Sequence, residues 1–430
     1  MRYRRLAAPL LLLGAILGGG GTVLGQSLLQ PNEWLPPGSD IGMAVSERPK
    51  LLLQVERQGG TASYLARLGE LAFRSSDILG GNARRAGLSC DACHPAGDAN
   101  LHFFIPGLSR KPGTVDVSHA LWNRAADDGL DNPISIPSLR GIGETAPYGF
   151  RGRFASLRDF TRRVIVTEFA GVEPPPALLD ALVEFQNELA PAPNPLLQAD
   201  GSLADRAGPA AQRGARLFAA HCARCHLPDG GFDDGRRHDV GSGGAVDTPS
   251  LRGVGFTPPY FHDGRYDTLA EAVAHFDRQL RLGLRATEAA DLAAYLTAIS
   301  GEPEIEPVTL SGDLARLSRF IELLRTPLLD EDATMAELVS RLLRGEVGRV
   351  DQRFQLPAHE AARSALAAWA RQLADIARLA EAGKFPAARA ALDRLEQQLV
   401  DDRPLLAAAA PSSLYDKDVL RAALANRPIR

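Results

Sequence analysis

The chain has 430 residues and a formal net charge of −4, which predicts two or three domains and excludes a strongly basic nucleic-acid-binding protein. Hydrophobic residues make up 45% of the sequence and charged residues 23%, the balance of a soluble globular protein. Internal apolar runs stay below about 18 residues, which excludes a polytopic membrane protein. Four cysteines are too few for a disulfide-scaffolded fold.

The N-terminus is typical of an export signal. Arg2, Arg4 and Arg5 precede the apolar stretch 6–17, and small residues follow as far as Gly25. We therefore predict a signal peptide over residues 1–25 and a periplasmic mature chain without a stable membrane span. The alternative is an uncleaved N-terminal anchor, and in both cases the rest of the chain lies outside the cytoplasm.

The four cysteines form two Cys-x-x-Cys-His motifs, which is the pattern that attaches c-type haem. Two thiols three positions apart can each form a thioether, and the adjacent histidine can ligate the iron. The alternatives are a disulfide or half of a zinc site, but both pairs end in histidine and no cysteine is left over. We therefore predict two covalent haems. The attaching cysteines are Cys90, Cys93, Cys222 and Cys225, and the ligating histidines are His94 and His226.

An internal repeat follows the two motifs. Residues 137–157 and 249–269 match without gaps, beginning with Pro-Ser-Leu-Arg-Gly, and they lie 112 positions apart. This match predicts two homologous haem domains. The first domain carries about 20 extra residues within the stretch 95–136, which contains His102, His119 and Trp122. An added loop of this kind is where a distal pocket or a lid would form.

The fold class predicted from these patterns is mainly α, with two tandem c-type cytochrome domains followed by a C-terminal helical bundle. We predict a first cytochrome domain over 26–190, a proline-rich linker over 191–205 and a second cytochrome domain over 206–301. An α-helical domain follows over 312–430, and the sequence does not indicate its role. Its sequence predicts helices at 313–325, 334–344, 358–383, 385–400 and 416–426. Thr334 and Glu337 form a candidate capping box.

The string from Thr257 to Arg265, Thr-Pro-Pro-Tyr-Phe-His-Asp-Gly-Arg, together with two haem motifs, resembles the bacterial dihaem cytochrome c peroxidase family. That superfamily includes the MauG-type enzymes, which oxidise a partner protein. The resemblance covers roughly residues 60 to 300. It implies that peroxide reacts at the N-terminal haem and that the C-terminal haem relays or stores electrons.

The resemblance also implies a distal ligand for the second haem. The family places a methionine or tyrosine fourteen residues after the histidine of this string, where Phe276 stands and cannot ligate. None of the three methionines is placed to serve, so we expect the neighbouring His275 as the metal ligand. The alternative is a surface histidine on that helix. A histidine in place of methionine lowers the reduction potential, which favours a low-potential relay or a MauG-like partner oxidation.

Further residues carry over from the family with substitutions. Phe150 occupies the place of a tryptophan between the haems, and Glu168 matches the catalytic distal glutamate, with a solvent-facing glutamate as the alternative. The family's calcium ion would use backbone oxygens of Thr257 and Pro259, but Ser135 replaces its asparagine ligand. His102 or His119 could cap the first haem, and the alternative for each is a loop histidine.

The function expected from these residues is that of a peroxidase-type oxidoreductase. It would reduce hydrogen peroxide with electrons from a small donor cytochrome or a cupredoxin. One alternative is MauG-like oxidation of a partner protein. Another is a dihaem electron carrier without peroxidase activity, in which two histidines ligate each iron. A third is a binding or scaffold protein that uses its helical tail.

Overall fold

The computed structural model describes residues 34–42, 45–354 and 357–425, so the predicted signal peptide, 1–25, lies outside the described residues. The described chain is mainly helical, as the sequence predicts. In this part of the chain, every helix is too short or too polar to cross a membrane.

The elements up to residue 300 surround the two Cys-x-x-Cys-His motifs. The α-helices in this part are α1 (Gln54–Arg57), α2 (Tyr64–Arg74), α3 (Gly81–Arg85), α4 (Cys90–Cys93), α5 (Leu157–Arg163), α6 (Pro176–Glu188), α7 (Pro209–His221), α8 (Leu269–Leu280) and α9 (Ala286–Ser300). The strands in this part are β1 (Glu47–Pro49), β2 (Thr114–Val115), β3 (Ile134–Ser135), β4 (Arg237–His238) and β5 (Val246–Asp247). β2 pairs with β3, and β4 with β5, both antiparallel.

The C-terminal part is helical after one short strand. Its elements are β6 (Ile305–Pro307), α10 (Leu310–Ile321), α11 (Arg325–Leu329), α12 (Ala333–Asp351), α13 (Glu360–Glu381), α14 (Phe385–Ala409) and α15 (Lys417–Ala425). β6 pairs antiparallel with β1, so the beginning of this part is tied to the beginning of the described chain. α12 packs against α13, and α13 packs against α14.

Each repeat is built on a pair of helices that cross at a glycine. α2 packs on α6 where Gly69 faces the backbone carbonyl of Ala181, and α7 packs on α9 where Gly214 faces the carbonyl of Asp291. A methyl group on either glycine would overlap the facing oxygen. The same close approach is therefore used twice, as expected for two copies of one module.

The described residues form two large hydrophobic cores of unequal extent. One core contains Leu68 of α2 and Leu182 of α6 together with Leu317 of α10, Leu342 of α12 and Leu395 of α14. The C-terminal helices therefore share a core with the first haem segment. The second core is smaller and contains Phe218 of α7 and Tyr295 of α9.

All five helices predicted in the C-terminal part are present, with shifted ends. α12 continues to Asp351 rather than stopping near residue 344, and α14 runs to Ala409 with Pro404 inside it. The predicted capping box at Thr334 is wrong. The helix begins one residue earlier, and its N-cap is Asp332, whose carboxylate accepts the backbone N–H of Met335 at 2.9 Å.

The helix crossing in the first repeat predicts a stability defect. Gly69→Ala should lower the free energy of unfolding by about 2 kcal/mol, because the methyl group forces α2 away from α6. Gly348→Ala is the matched control, since an added methyl group there meets no atom within 4 Å. Because Gly348 is half-buried within a helix and has open space beside it, this change should be neutral or stabilise by about 0.5–1 kcal/mol. Denaturant unfolding measures both, and a Gly69→Ala protein as stable as wild type would contradict the packing.

Candidate haem sites

The first motif is a single helical turn, α4. Its N-cap is Ser89, whose hydroxyl accepts the backbone N–H of Ala92 at 3.2 Å. The backbone N–H of His94 then donates to the carbonyl of Cys90 at 2.7 Å. This bond closes the turn and brings the histidine back beside the two cysteines.

The second motif repeats this closure at the end of a longer helix. Cys222 is the C-cap of α7, and the backbone N–H of His226 donates to its carbonyl at 3.0 Å. The same hydrogen bond, from the histidine N–H to the carbonyl of the first cysteine, thus forms after the single turn α4 and after the longer helix α7. The five-residue turn is thus the feature that both sites share.

All four cysteines are free and half-buried. Burial raises the pKa of Cys90 to about 12 and that of Cys222 to about 11, and it also raises the pKa of Cys93. These three thiols are therefore protonated at neutral pH. In both pairs the sulfur atoms are free to form thioether bonds.

Both histidines are held by one ring nitrogen. Nδ1 of His94 lies 2.9 Å from the carbonyl of Pro137, and Nδ1 of His226 lies 2.9 Å from the carbonyl of Phe232. With Nδ1–H as the donor, Nε2 keeps its lone pair for a metal. Burial lowers the pKa of His94 to about 4 and also lowers that of His226, so both rings are neutral. Two thiols and one oriented imidazole at each turn fit a c-type haem.

A different donor set lies beside the second motif. Donor atoms of Cys225, Asp234 and His238 all lie within 4.8 Å of one another. The His238 ring already uses Nε2 on the Asp234 carboxylate, at 2.8 Å. A thioether on Cys225 would withdraw the only sulfur from this set, so the group competes with haem attachment and does not supplement it.

The two repeats meet through equivalent residues. The backbone N–H of Ser135 donates to the carbonyl of His262, and that of Asp247 donates to the carbonyl of Phe150, both at 2.9 Å. Each residue of the first bond lies 112 positions from its counterpart in the second. The contact therefore has an approximate twofold symmetry, which follows from the duplication.

Phe150 and His262, which the repeat alignment makes equivalent, stack directly on one another. Their ring centroids are 5.5 Å apart and the planes differ by 11°. Phe150 is 40% exposed, and the guanidinium carbon of Arg151 lies 5.3 Å from its ring centroid. The residue in the family's tryptophan position is therefore at the junction of the two repeats.

Glu168 ends a turn of π-helix, Val164–Glu168, that continues α5. Its side chain is half-buried, and Nε of Arg163 lies 3.8 Å from its carboxylate. Burial raises the pKa of Glu168, and Arg163 opposes this shift. A π-turn inserts a residue into the helical repeat and is frequent at functional sites. The sequence pattern gave no signal for it, because it predicts only the 3.6-residue period.

The extra segment of the first repeat holds this π-turn in place. Trp122 packs edge-on against Phe169, with ring centroids 5.7 Å apart, and Nδ2 of Asn123 donates to the carbonyl of Thr167 at 2.6 Å. Trp122 is buried, and its indole N–H donates to the carbonyl of Asp116. The segment therefore contacts the residues on both sides of Glu168, Thr167 and Phe169.

His275 is buried on α8, and both of its ring nitrogens have partners. Nδ1 lies 2.9 Å from the Tyr266 hydroxyl, and Nε2 lies 2.6 Å from the carbonyl of Val240. The consistent arrangement has Nε2–H donating to Val240 and the tyrosine hydroxyl donating to Nδ1. An iron ligand at Nε2 would have to replace the Val240 bond. The surface-histidine alternative does not describe this residue.

The remaining predicted residues lie in loops, apart from Ser135, which ends β3. His102 is exposed, and Nδ1 of His119 accepts the backbone N–H of Leu121 at 3.0 Å. Pro259 is buried, and Thr257 is half-buried near it. Ser135 lies against the same loop through its bond to His262. The three residues named for calcium thus belong to one neighbourhood.

Residues 216–303 match the model of a protein family described as di-haem cytochrome c peroxidase. The matched stretch contains the second motif and the second repeat, so the resemblance drawn from the sequence is confirmed there. A comparison with curated proteins found no match.

Two solved structures are similar at low identity. One is a chain of hydrazine synthase from Kuenenia stuttgartiensis, with 22% identity and a TM-score of 0.42 over 58% of this chain and 90% of that chain. The other is a MauG-like protein associated with microbial copper homeostasis, with 17% identity and a TM-score of 0.37 over 59% of this chain and 95% of that chain.

Proposed function

We propose that this protein is a periplasmic dihaem c-type cytochrome that acts as a peroxidase-type oxidoreductase. Hydrogen peroxide is reduced at the N-terminal haem, and electrons pass through the C-terminal haem. The observation that carries the proposal is the pair of closed Cys-x-x-Cys-His turns, each with Nδ1 of its histidine on a backbone carbonyl. The match of residues 216–303 to a di-haem peroxidase family supports it.

The proposed sites use the residues of the two turns. His94 and His226 ligate the irons, and the haems are attached through Cys90, Cys93, Cys222 and Cys225. A haem bound at each turn would supply an iron centre that exchanges electrons, and the first would supply the chemistry that reduces peroxide. The cytochrome domains are residues 26–190 and 206–301, joined by the linker 191–205 and followed by the helical domain 312–430.

Glu168 is the proposed proton carrier. Its carboxylate accepts the proton of one peroxide oxygen and returns it to the other, so that the departing oxygen leaves as water. Burial raises the pKa of Glu168, which brings its proton affinity closer to the working pH. Trp122 and Asn123 keep the π-turn that carries Glu168 in one position, through their contacts with Phe169 and Thr167.

Phe150 is proposed to lie on the electron path between the two domains. Its ring stacks on His262, and the two backbone bonds across the repeat contact fix both residues. A packed contact of this kind gives electrons a short route between the modules. The electron source in this proposal is a small cytochrome or a cupredoxin. Calcium at Thr257, Pro259 and Ser135 would lie in the same contact region.

Removal of the Glu168 carboxylate tests the proposed function. Glu168→Gln should slow the reaction of the diferric holoprotein with hydrogen peroxide by about 10²–10⁴-fold, because proton transfer within the peroxide is lost. The wild-type rate should rise with pH through the raised pKa of Glu168, because the carboxylate is the form that accepts a proton. This rise should be absent in the variant. Stopped-flow absorbance of the haem bands measures the rate.

The control for this experiment is Glu173→Gln. Glu173 lies five residues further along the chain and is exposed, in an ion pair with Arg162. Its variant should react at the wild-type rate. Equal rates and pH profiles for Glu168→Gln and wild type would contradict the assigned role.

The second candidate function is an electron-transfer cytochrome whose irons each carry two histidines, and the burial of His275 is the observation that favours it. If His275 ligates the second haem, His275→Ala should convert a low-spin ferric signal into a high-spin one in the electron paramagnetic resonance spectrum. His238→Ala is the control and should leave the spectrum unchanged. An unchanged His275→Ala spectrum would contradict ligation. Two low-spin wild-type signals that persist after partial reduction and peroxide addition would favour the carrier over the peroxidase.

A further inference from the structure

A buried network of four charges joins the first haem motif to the C-terminal helices. Arg74, the last residue of α2, binds the Glu346 carboxylate of α12 with Nη2 at 2.8 Å, and its Nη1 lies 3.4 Å from the Asp91 carboxylate. Arg349, one turn further along α12, donates to Asp91 at 2.7 Å. Side-chain exposure is below 10% for all but Arg349, so these charges are largely removed from water.

Asp91 connects this network to the turn itself. It is the first residue between the two cysteines of the motif, and its other carboxylate oxygen accepts the backbone N–H of Ala96 at 3.0 Å. Arg349 also donates to the backbone carbonyl of Arg74, at 3.0 Å. The network therefore binds the chain before Cys90, at the carbonyl of Arg74, and directly after it, at Asp91. Through Asp91 it also binds the backbone of Ala96, two residues after His94.

The second repeat has no counterpart of this network. Ala223 stands where the first motif has Asp91. When the two crossing glycines, Gly69 and Gly214, are aligned, the position of Arg74 falls on Ala219. The ion pairs are thus specific to the repeat that shares its core with the C-terminal helices.

We propose that α12 is a positioning element for the first haem site. Arg349 binds Asp91, Glu346 holds Arg74 beside Asp91, and together they balance the charge beside the first motif, so that the C-terminal helical region sets the reduction potential of the first haem and leaves that of the second unchanged. Both are positioning residues, since Arg349 acts through Asp91 and Glu346 acts through Arg74. This inference rests on the proposed function only in requiring a haem at each motif.

Charge balance gives the inference a signed consequence. The network holds two arginines and two carboxylates, so its formal charge is zero. Removing the Glu346 charge leaves an excess positive charge, which disfavours the ferric haem and raises its potential. Removing the Arg349 charge leaves an excess negative charge and lowers the potential. A merely structural loosening would move both variants in the same direction, since it depends on contacts and not on the sign of charge.

The experiment is a spectroelectrochemical titration of the full-length holoprotein. Glu346→Gln should shift one of the two midpoint potentials upward, and Arg349→Gln should shift the same midpoint downward, while the other midpoint stays at the wild-type value. Glu346→Asp keeps the charge and should restore the wild-type potential. Asp351→Asn is the control on the same helix, because Asp351 pairs with the exposed Arg363 and should shift neither midpoint.

Three results would overturn the inference: shifts of the same sign in both charge-removing variants, equal shifts of both midpoints, or no shift beyond that of Asp351→Asn. Where Glu346→Gln does not accumulate as holoprotein, Arg349→Gln and Arg349→Lys provide the same comparison, with lowering expected only for the first. Peroxide turnover is measured separately on the wild-type protein. Its absence would contradict the proposed function while leaving opposite potential shifts as support for the role of α12.

Discussion

The structure depends on the closure of a five-residue turn that has to present two thiols and one imidazole together. In both motifs the histidine N–H returns to the carbonyl of the first cysteine, and the ring is then fixed through Nδ1 by a second carbonyl. The loop residues Pro137 and Phe232 supply this second carbonyl, and burial lowers the pKa of each ring, so that it stays neutral. The glycine crossings, the hydrophobic cores and the repeat contact all serve to hold these turns in place.

Duplication explains the symmetric parts of the molecule, and two additions explain the asymmetric ones. The crossings at Gly69 and Gly214 and the exchanged bonds between the repeats are the same interactions made twice. The first repeat differs because it carries the extra segment around Trp122 and because it is packed against the C-terminal helices. Both differences lie beside the first haem motif, where the proposed peroxide chemistry takes place, whereas the second repeat remains the plainer module.

Much of this organisation could be predicted from the sequence, because the decisive signals are local. The cysteine–histidine motifs and the five C-terminal helices depend on residues within a few turns of one another, and the repeat is recognised from two short stretches that match without gaps. The π-turn that carries Glu168 could not be predicted, since an added residue in a helical turn has no period of its own. The pairing of Arg74 with Glu346 could not be predicted either, because 272 positions separate the two residues and a long-range ion pair produces no periodic pattern in the sequence. The Asp332 cap was missed because Thr334, two residues further along, offered an equally good capping motif with Glu337.

The central claim is that each five-residue turn carries one covalently attached haem. It is tested most directly by counting the haem that stays with the chain after denaturation and acidic acetone extraction, using the pyridine haemochrome band and the intact mass of protein made in a host that matures c-type cytochromes. The account predicts two haems per chain, and one haem in a variant with both Cys222 and Cys225 replaced by serine. A chain without attached haem, or a wild-type chain with only one, would contradict the account.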